Sequence, residues 1–155
     1  MLLNTEPQQL GMGHYWQDLS AGQKFKTFRR TITETDLITF ISCTGMLENI
    51  FIDPDYPGAI KGRVVPGALP YTLIEGLLLQ TSLQGTGLAL LEIHKKIENP
   101  TFVGDSVFAI VTILSVKPTS KHNRAVVESE VEVFNQDEKR LMVYRVKRLL
   151  AGRSN

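Results

Sequence analysis

The chain has 155 residues, of which 17 are Lys or Arg and 16 are Asp or Glu, so its formal net charge is +1. This near-neutral charge argues against nucleic acid as a partner, because that binding depends on an excess of basic charge. The length is most simply one domain with its own core. We predict a weakly ordered arm over residues 1–13 and a single domain over residues 14–155.

Few residues suit a metal or a disulfide. The one cysteine, Cys43, permits no internal disulfide, and its position in an apolar helical run predicts a buried structural thiol. The histidines, His14, His94 and His122, lie far apart and lack metal-ligand spacing, so we expect no metal site. Neither a signal peptide nor an apolar run long enough to cross a membrane is visible. We therefore expect a cytoplasmic protein without a membrane partner.

The first regular elements are a strand and a short helix. The segment "FKTFRRTI", from Phe25 to Ile32, alternates apolar and polar residues as a strand does. Thr33 with Asp36 three residues later approximates a capping box and predicts a helix start. Gly45 is typical of a helix end, so the helix is predicted to run between these signals.

A loop that mixes carboxylates with apolar residues follows this helix. It reads "GMLENIFIDPDYP", from Gly45 to Pro57. Glu48, Asn49 and Asp53 carry groups that suit proton transfer or the orientation of a water. Local roles are the alternative: a solvated acid at Glu48, and a turn or cap at Asn49 and Asp53.

The segment "GRVVPGALPYTLIEGLLLQTSLQG" predicts a buried helix. Pro66 and Gly67 are typical of a helix start. The helix is apolar on nearly every side from Leu69 to Leu83, which indicates burial on most faces. Glu75 is the charged residue in the middle of this run, and we expect it to reach solvent at a helix edge or to pair across a dimer.

Four strand-like segments complete the chain: "LALLEIHKKI", "SVFAIVTILSVK", "RAVVESEVEVFN" and "RLMVYRVKRLL". The polar turn "FNQDEKR" predicts a hairpin between the last two, with Arg145 and Lys147 facing a row of glutamates. The prediction is an α+β architecture, a mostly antiparallel sheet packed on one long apolar helix. One sheet leaves such a helix open on one side, so we expect a homodimer through sheet edges, or a higher assembly of dimers.

Several segments, in order and spacing, resemble the MaoC-like hydratase and dehydratase family. They are "YWQDLSAGQKF", "RRTITETDLITFISCTG", "GRVVPGALPYTLIEGLL" and "PTFVGDSV". The resemblance covers about Tyr15 to Arg153. It implies the hot-dog fold, a curled antiparallel sheet wrapped round a long central helix.

The resemblance also implies a substrate and a reaction. Family members act on acyl thioesters of coenzyme A or of a carrier protein, with no cofactor beyond the thioester itself. They add water across an enoyl thioester or remove it from the (R)-3-hydroxyacyl form. The family's carbonyl-polarising glycine corresponds to Gly67, and Met46, Phe51, Val65 and Pro66 are expected to line the pocket.

The family's acid-base pair has no counterpart at the expected positions. The family pattern is Gly-Asp-x-Asn-Pro-x-His-x-Asp, and Gly45 and Asp53 agree with its ends. Its catalytic Asp and His fall on Met46 and Phe51, and neither of these side chains can move a proton.

Three hypotheses follow. Glu48 and Asp53 could replace the lost pair, with Asn49 orienting a water. The site could instead bind acyl thioesters without converting them. Alternatively, Glu75 could act as in the hot-dog thioesterases that use a carboxylate from the central helix.

Overall fold

The structure is a computed structural model that describes residues 6–154 of the chain. In that range the α-helices span Glu34–Thr44 (α1), Asn49–Ile52 (α2) and Ala68–Gln80 (α3). The strands span Lys24–Lys26 (β1), Arg30–Thr31 (β2), Gly87–Ile97 (β3), Ser106–Pro118 (β4), Arg124–Phe134 (β5) and Arg140–Ala151 (β6).

The described strands form one antiparallel sheet in the order β1-β4-β5-β6-β3, with β2 also paired to β4. The predicted hairpin between β5 and β6 is confirmed, since Glu130 lies opposite Arg145 and Glu128 opposite Lys147. Arg145 Nε is 3.0 Å from a Glu130 carboxylate oxygen. Exposed pairs of this kind contribute about 0–1 kcal/mol each, so they influence register more than stability.

The other face of the sheet packs on α3. Leu69, Ile74 and Leu78 of the helix are buried in one cluster with the inward residues of β4, β5 and β6. This arrangement confirms the predicted α+β architecture of a curled sheet on a central apolar helix. The helix ends at Gln80 rather than at Leu83, since the Leu83 N–H bonds back to the Leu78 carbonyl in the turn that follows.

The predicted chemistry of α1 is confirmed at both ends. The Thr33 side chain accepts from the Asp36 N–H, and the Asp36 carboxylate accepts from the Thr33 N–H. Gly45 ends the helix with a φ of 75°, a conformation that glycine adopts without steric cost. The helix therefore delivers the chain into the acidic loop at a fixed point.

Two local predictions were wrong. Cys43 is exposed, because the buried face of α1 carries Leu37 and Ile41 while Cys43 lies on another side of the helix. The single strand predicted over Phe25–Ile32 is interrupted between β1 and β2, and Phe28 in the interruption is 77% exposed.

The amino-terminal arm is described from residue 6; residues 1–5 lie outside the described residues. Its end is attached to the turn after α3, where the Gly13 N–H donates to the Gln84 carbonyl and the His14 N–H donates to that of Ser82. In the described part of the chain, no helix has the length and apolar character needed to span a bilayer.

Strand β3 forms one edge of the sheet. Among the described residues, it pairs with β6 along one side and with no strand along the other. Several of its large apolar side chains are about half exposed, namely Leu88, Leu90, Leu91 and Ile97. A long, apolar strand edge of this kind is a surface on which another chain can pair.

Candidate functional site

The amino end of α3 presents a free hydrogen-bond donor. Gly67 is the N-cap of the helix, preceded by the buried Val65 and by the buried Pro66. Within residues 6–154 its N–H has no hydrogen-bond acceptor. The first N–H groups of a helix lack intrahelical acceptors and carry the positive end of the helix dipole. This end of α3 can therefore bind an oxygen that carries negative charge.

A side chain at Gly67 would point toward β3, the edge strand. A Cβ placed on Gly67 would lie 3.4 Å from Cδ1 of Ile97, the last residue of β3. Ile97 is itself 48% exposed. The donor end of α3 is thus next to the end of a strand whose outer edge is unpaired in the described chain.

The acidic loop places its candidate residues in local turns. Glu48 is the N-cap of α2, and its carboxylate accepts from the Asn49 N–H at 3.1 Å. Asp53 ends α2, and its carboxylate accepts from the Asp55 N–H at 2.9 Å. These bonds match the local roles that the sequence leaves as the alternative. Neither carboxylate hydrogen-bonds to Gly67.

The expected pocket residues differ in burial. Val65 and Pro66 are buried, and Phe51 is partly buried against the core. Met46 is 40% exposed, and Asn49 is exposed as well. In the single chain, Val65, Pro66 and part of Phe51 are thus covered, whereas Met46 and Asn49 are open to solvent.

Arg63 connects this loop to α1, a link that the sequence analysis missed. Its guanidinium lies on the Glu34 carboxylate, with Nη2 2.6 Å from one oxygen and Nε 3.1 Å from both. Nη1 donates to the Phe51 carbonyl at the end of α2. The hydrogen bond from Arg63 lowers the pKa of Glu34 from its ordinary value. No local pattern could have shown this contact, because the pair is 29 residues apart.

Glu75 is held in a buried ion pair. Arg148 Nη2 lies 2.6 and 2.7 Å from its two carboxylate oxygens, and the Tyr144 hydroxyl donates to it at 2.7 Å. The Glu75 and Arg148 side chains are only 13% and 11% exposed. Burial, reinforced by the nearby carboxylate, raises the pKa of Tyr144. Both oxygens of Glu75 are therefore engaged within the chain, rather than at a solvent-facing helix edge or across a dimer as expected.

A small cavity lies near the other end of α3. Its volume is about 40 Å³, and it lies between Leu78 and Leu83 on one side and the inner face of β4 to β6 on the other. His14 lines it, and the buried Nδ1 of His14 has no hydrogen-bond partner in the described chain. A space of this size suits ordered water better than an acyl chain.

Comparison with known proteins gives one curated relative of similar length. An (R)-specific enoyl-CoA hydratase from Rhodospirillum rubrum is 29% identical over 110 residues, which span 70% of this chain and 75% of that protein. No protein-family model matches the chain.

The fold is shared with solved structures of low sequence identity. A MaoC-like dehydratase from Rhodospirillum rubrum superposes with a TM-score of 0.80 at 20% identity, covering 92% of this chain and 100% of that chain. The Mycobacterium tuberculosis protein RV0216, which has a double hot-dog fold, superposes with a TM-score of 0.84 at 16% identity. That match covers 95% of this chain and 46% of RV0216. The chain thus has the hot-dog fold, and it spans about half of a protein that contains that fold twice.

Proposed function

We propose that the chain is an acyl-CoA hydratase or dehydratase of the MaoC-like kind, which interconverts enoyl and (R)-3-hydroxyacyl thioesters. The hydratase relative and the shared hot-dog fold support this assignment. The observation that carries the proposal is the Gly67 N–H at the start of α3, which has no acceptor within residues 6–154.

In this proposal the carbonyl oxygen of the thioester accepts a hydrogen bond from Gly67. Negative charge builds on that oxygen when water adds to the neighbouring double bond, because the intermediate is an enolate. A preorganised donor at a helix start stabilises this charge, and one such donor is typically worth about 10²–10³ in rate. Val65, Pro66, Met46 and Phe51 would enclose the acyl chain.

Glu48 is the proposed base and acid. In hydration its carboxylate takes a proton from the water as the water oxygen bonds to C3. The protonated carboxyl then returns a proton to C2 as the enolate collapses to the thioester. Asp53 and Asn49 would orient Glu48 and the water. This role requires Glu48 to release the Asn49 N–H that it accepts in the free chain.

A second copy of the chain would complete the site. Gly67 abuts Ile97 at the end of the unpaired edge of β3. Pairing of two β3 edges would cover the half-exposed leucines of that strand and would turn the open surface beside Gly67 into a slot. We therefore include a homodimer in the proposal.

A binder that does not convert acyl thioesters is the second candidate. The exposure of the loop favours it, because Glu48 is open to solvent and already serves as the N-cap of α2. The resemblance to the MaoC-like family also puts Met46 and Phe51 at the positions of that family's Asp and His, which supports the binder.

Crotonyl-CoA distinguishes these functions. Loss of its conjugated-thioester absorbance with formation of the (R)-3-hydroxy product supports the hydratase. Binding by calorimetry without any change in absorbance supports the binder. Release of free thiol would instead support a thioesterase that uses Glu75. Glu48→Gln is expected to abolish hydration without changing the circular dichroism spectrum; unchanged turnover would remove Glu48 from the mechanism.

Two substitutions of Gly67 test the donor directly. Gly67 has a φ of −57°, which proline can adopt, so Gly67→Pro removes the N–H with little change of local conformation. Gly67→Ala keeps the N–H and adds a Cβ at ordinary contact distance from Ile97. We expect the proline variant to turn over crotonyl-CoA about 10²–10³ more slowly than the alanine variant. Equal rates in the two variants would contradict the proposal.

A further inference from the structure

Arg63 makes two different contacts with the two ends of one guanidinium. Nε and Nη2 bind the Glu34 carboxylate in a fork, and Nη1 binds the Phe51 carbonyl. The fork fixes the plane of the guanidinium, which is the geometric advantage of arginine over lysine at such a site. One side chain thereby connects the first turn of α1 to the end of α2.

The Phe51 contact matters because α2 is very short. The helix has four residues, Asn49–Ile52, and a helix of that length is not stable by itself. Its last carbonyls have no intrahelical donors. The bond from Arg63 satisfies one of them and so holds the carboxyl end of α2 in place.

The backbone of Arg63 is anchored on the way to α3. Its carbonyl accepts from the Val103 N–H at 2.9 Å. Val64 then bridges to Phe102, and the Val65 N–H donates to the Thr101 carbonyl at 3.0 Å. Two residues later the chain reaches Gly67. Arg63 is therefore attached through its backbone to the donor side of the proposed site, and through its side chain to the acid-bearing side.

We infer that Arg63 is a positioning residue that sets the distance between α2 and the amino end of α3. Its role in the reaction rests on the proposed function, because only that function requires Glu48 and Gly67 to be held at a fixed distance from each other. The Arg63 side chain is 18% exposed and touches neither proposed reacting group in the described chain. It acts through Phe51 and Glu34.

The first experiment measures order and needs no turnover. Hydrogen exchange of the backbone amides in residues 48–56 is compared between the wild type, Arg63→Gln and Arg145→Gln. Arg145 is the matched control, an arginine paired with Glu130 on the outer face of the sheet. We expect Arg63→Gln to speed exchange in this segment about tenfold or more, and the control to leave it unchanged. Unchanged exchange in Arg63→Gln would overturn the inference, whatever the protein catalyses.

The second experiment measures the reaction. With crotonyl-CoA, Arg63→Gln is expected to lower kcat more than it raises KM, because misplacement of an acid by about 1 Å costs up to about 10²-fold in rate. Added guanidinium ion is expected to restore part of the rate that Arg63→Ala loses. Arg63→Lys is expected to be as slow as Arg63→Ala without guanidinium, since an ammonium cannot form the fork. A loss confined to KM, or no rescue, would show that Arg63 does not position the catalytic acid. If Arg63→Gln speeds exchange but the wild type shows no hydratase activity, the link that Arg63 makes between α1 and α2 is supported and the proposed function is rejected.

Discussion

Single residues decide how the acidic loop is held, and Glu34 makes that attachment sensitive to pH. The hydrogen bond from Arg63 lowers the pKa of Glu34 in the folded chain. A group whose pKa is lower when folded stabilises the fold above its ordinary pKa, and this contribution is lost as the pH falls through the folded value. The tether between α1 and α2 should therefore be complete at neutral pH and weaken below about pH 4.

The prediction is that the Phe51 and Ile52 amide protons of the wild type lose exchange protection as the pH falls below the ordinary carboxyl pKa of about 4.3, because the pKa of Glu34 in the folded chain lies lower still. Glu34→Gln should show weak protection throughout, with little dependence on pH. Far-ultraviolet circular dichroism over the same range checks that the sheet remains folded. Identical pH profiles in the two proteins would show that Glu34 does not control the loop.

Sequence reasoning succeeded at this scale where a residue acts on its own neighbours. The capping box of Thr33 and Asp36 and the left-handed Gly45 follow from side chains within a few residues. It failed at Cys43, because a short apolar run does not show which side of α1 faces the core. It also missed Arg63, whose partners depend on how distant segments pack.

At the scale of elements, α3 is attached to the sheet by a buried ion pair as well as by apolar packing. Glu75 on the helix binds Arg148 on β6, and both side chains are nearly removed from solvent. Removing one partner of such a pair leaves an uncompensated buried charge and typically costs about 3–5 kcal/mol. Replacing both partners with apolar residues of similar size is often close to neutral.

We therefore expect Arg148→Met to lower the free energy of unfolding by about 3–5 kcal/mol. The double variant Glu75→Leu with Arg148→Met should recover part of that loss, since it removes the unpaired charge but leaves the buried Tyr144 hydroxyl without its acceptor. Urea unfolding of the wild type, both single variants and the double variant forms a complete cycle. Additive effects would mean that the two side chains do not stabilise the chain as a pair.

The elements themselves were largely predictable. The run of apolar residues after Pro66 and Gly67 predicted the start of α3. The alternation of apolar and polar residues predicted β5, and the polar turn after it predicted the hairpin with β6. The partner of Glu75 was not identified, since 73 residues separate it from Arg148. Predicting this contact requires knowing how the strands pair and in what order. The alternation of apolar and polar residues within one strand does not provide that information.

At the scale of the whole molecule, no strand among residues 6–154 lies beside β3 on the side away from β6. Eleven residues, Gly87–Ile97, present that edge, and Leu90 is 49% exposed on it. We expect the wild type to sediment as a dimer and Leu90→Glu to sediment as a monomer, because two carboxylates would face each other at the joined edges. Leu10→Glu is the control, since Leu10 is 86% exposed and lies in the arm rather than on β3. A wild type that remains a monomer at micromolar concentration would exclude this interface.

The half-exposed leucines of β3 have a consequence for any measurement of heat stability. If folding is coupled to dimerisation, the unfolding temperature rises with protein concentration by mass action. A dilute sample would unfold at a lower temperature than a concentrated one, although the contacts within each chain are the same. If the proposed dimer completes the thioester slot, crotonyl-CoA turnover would fall on dilution for the same reason.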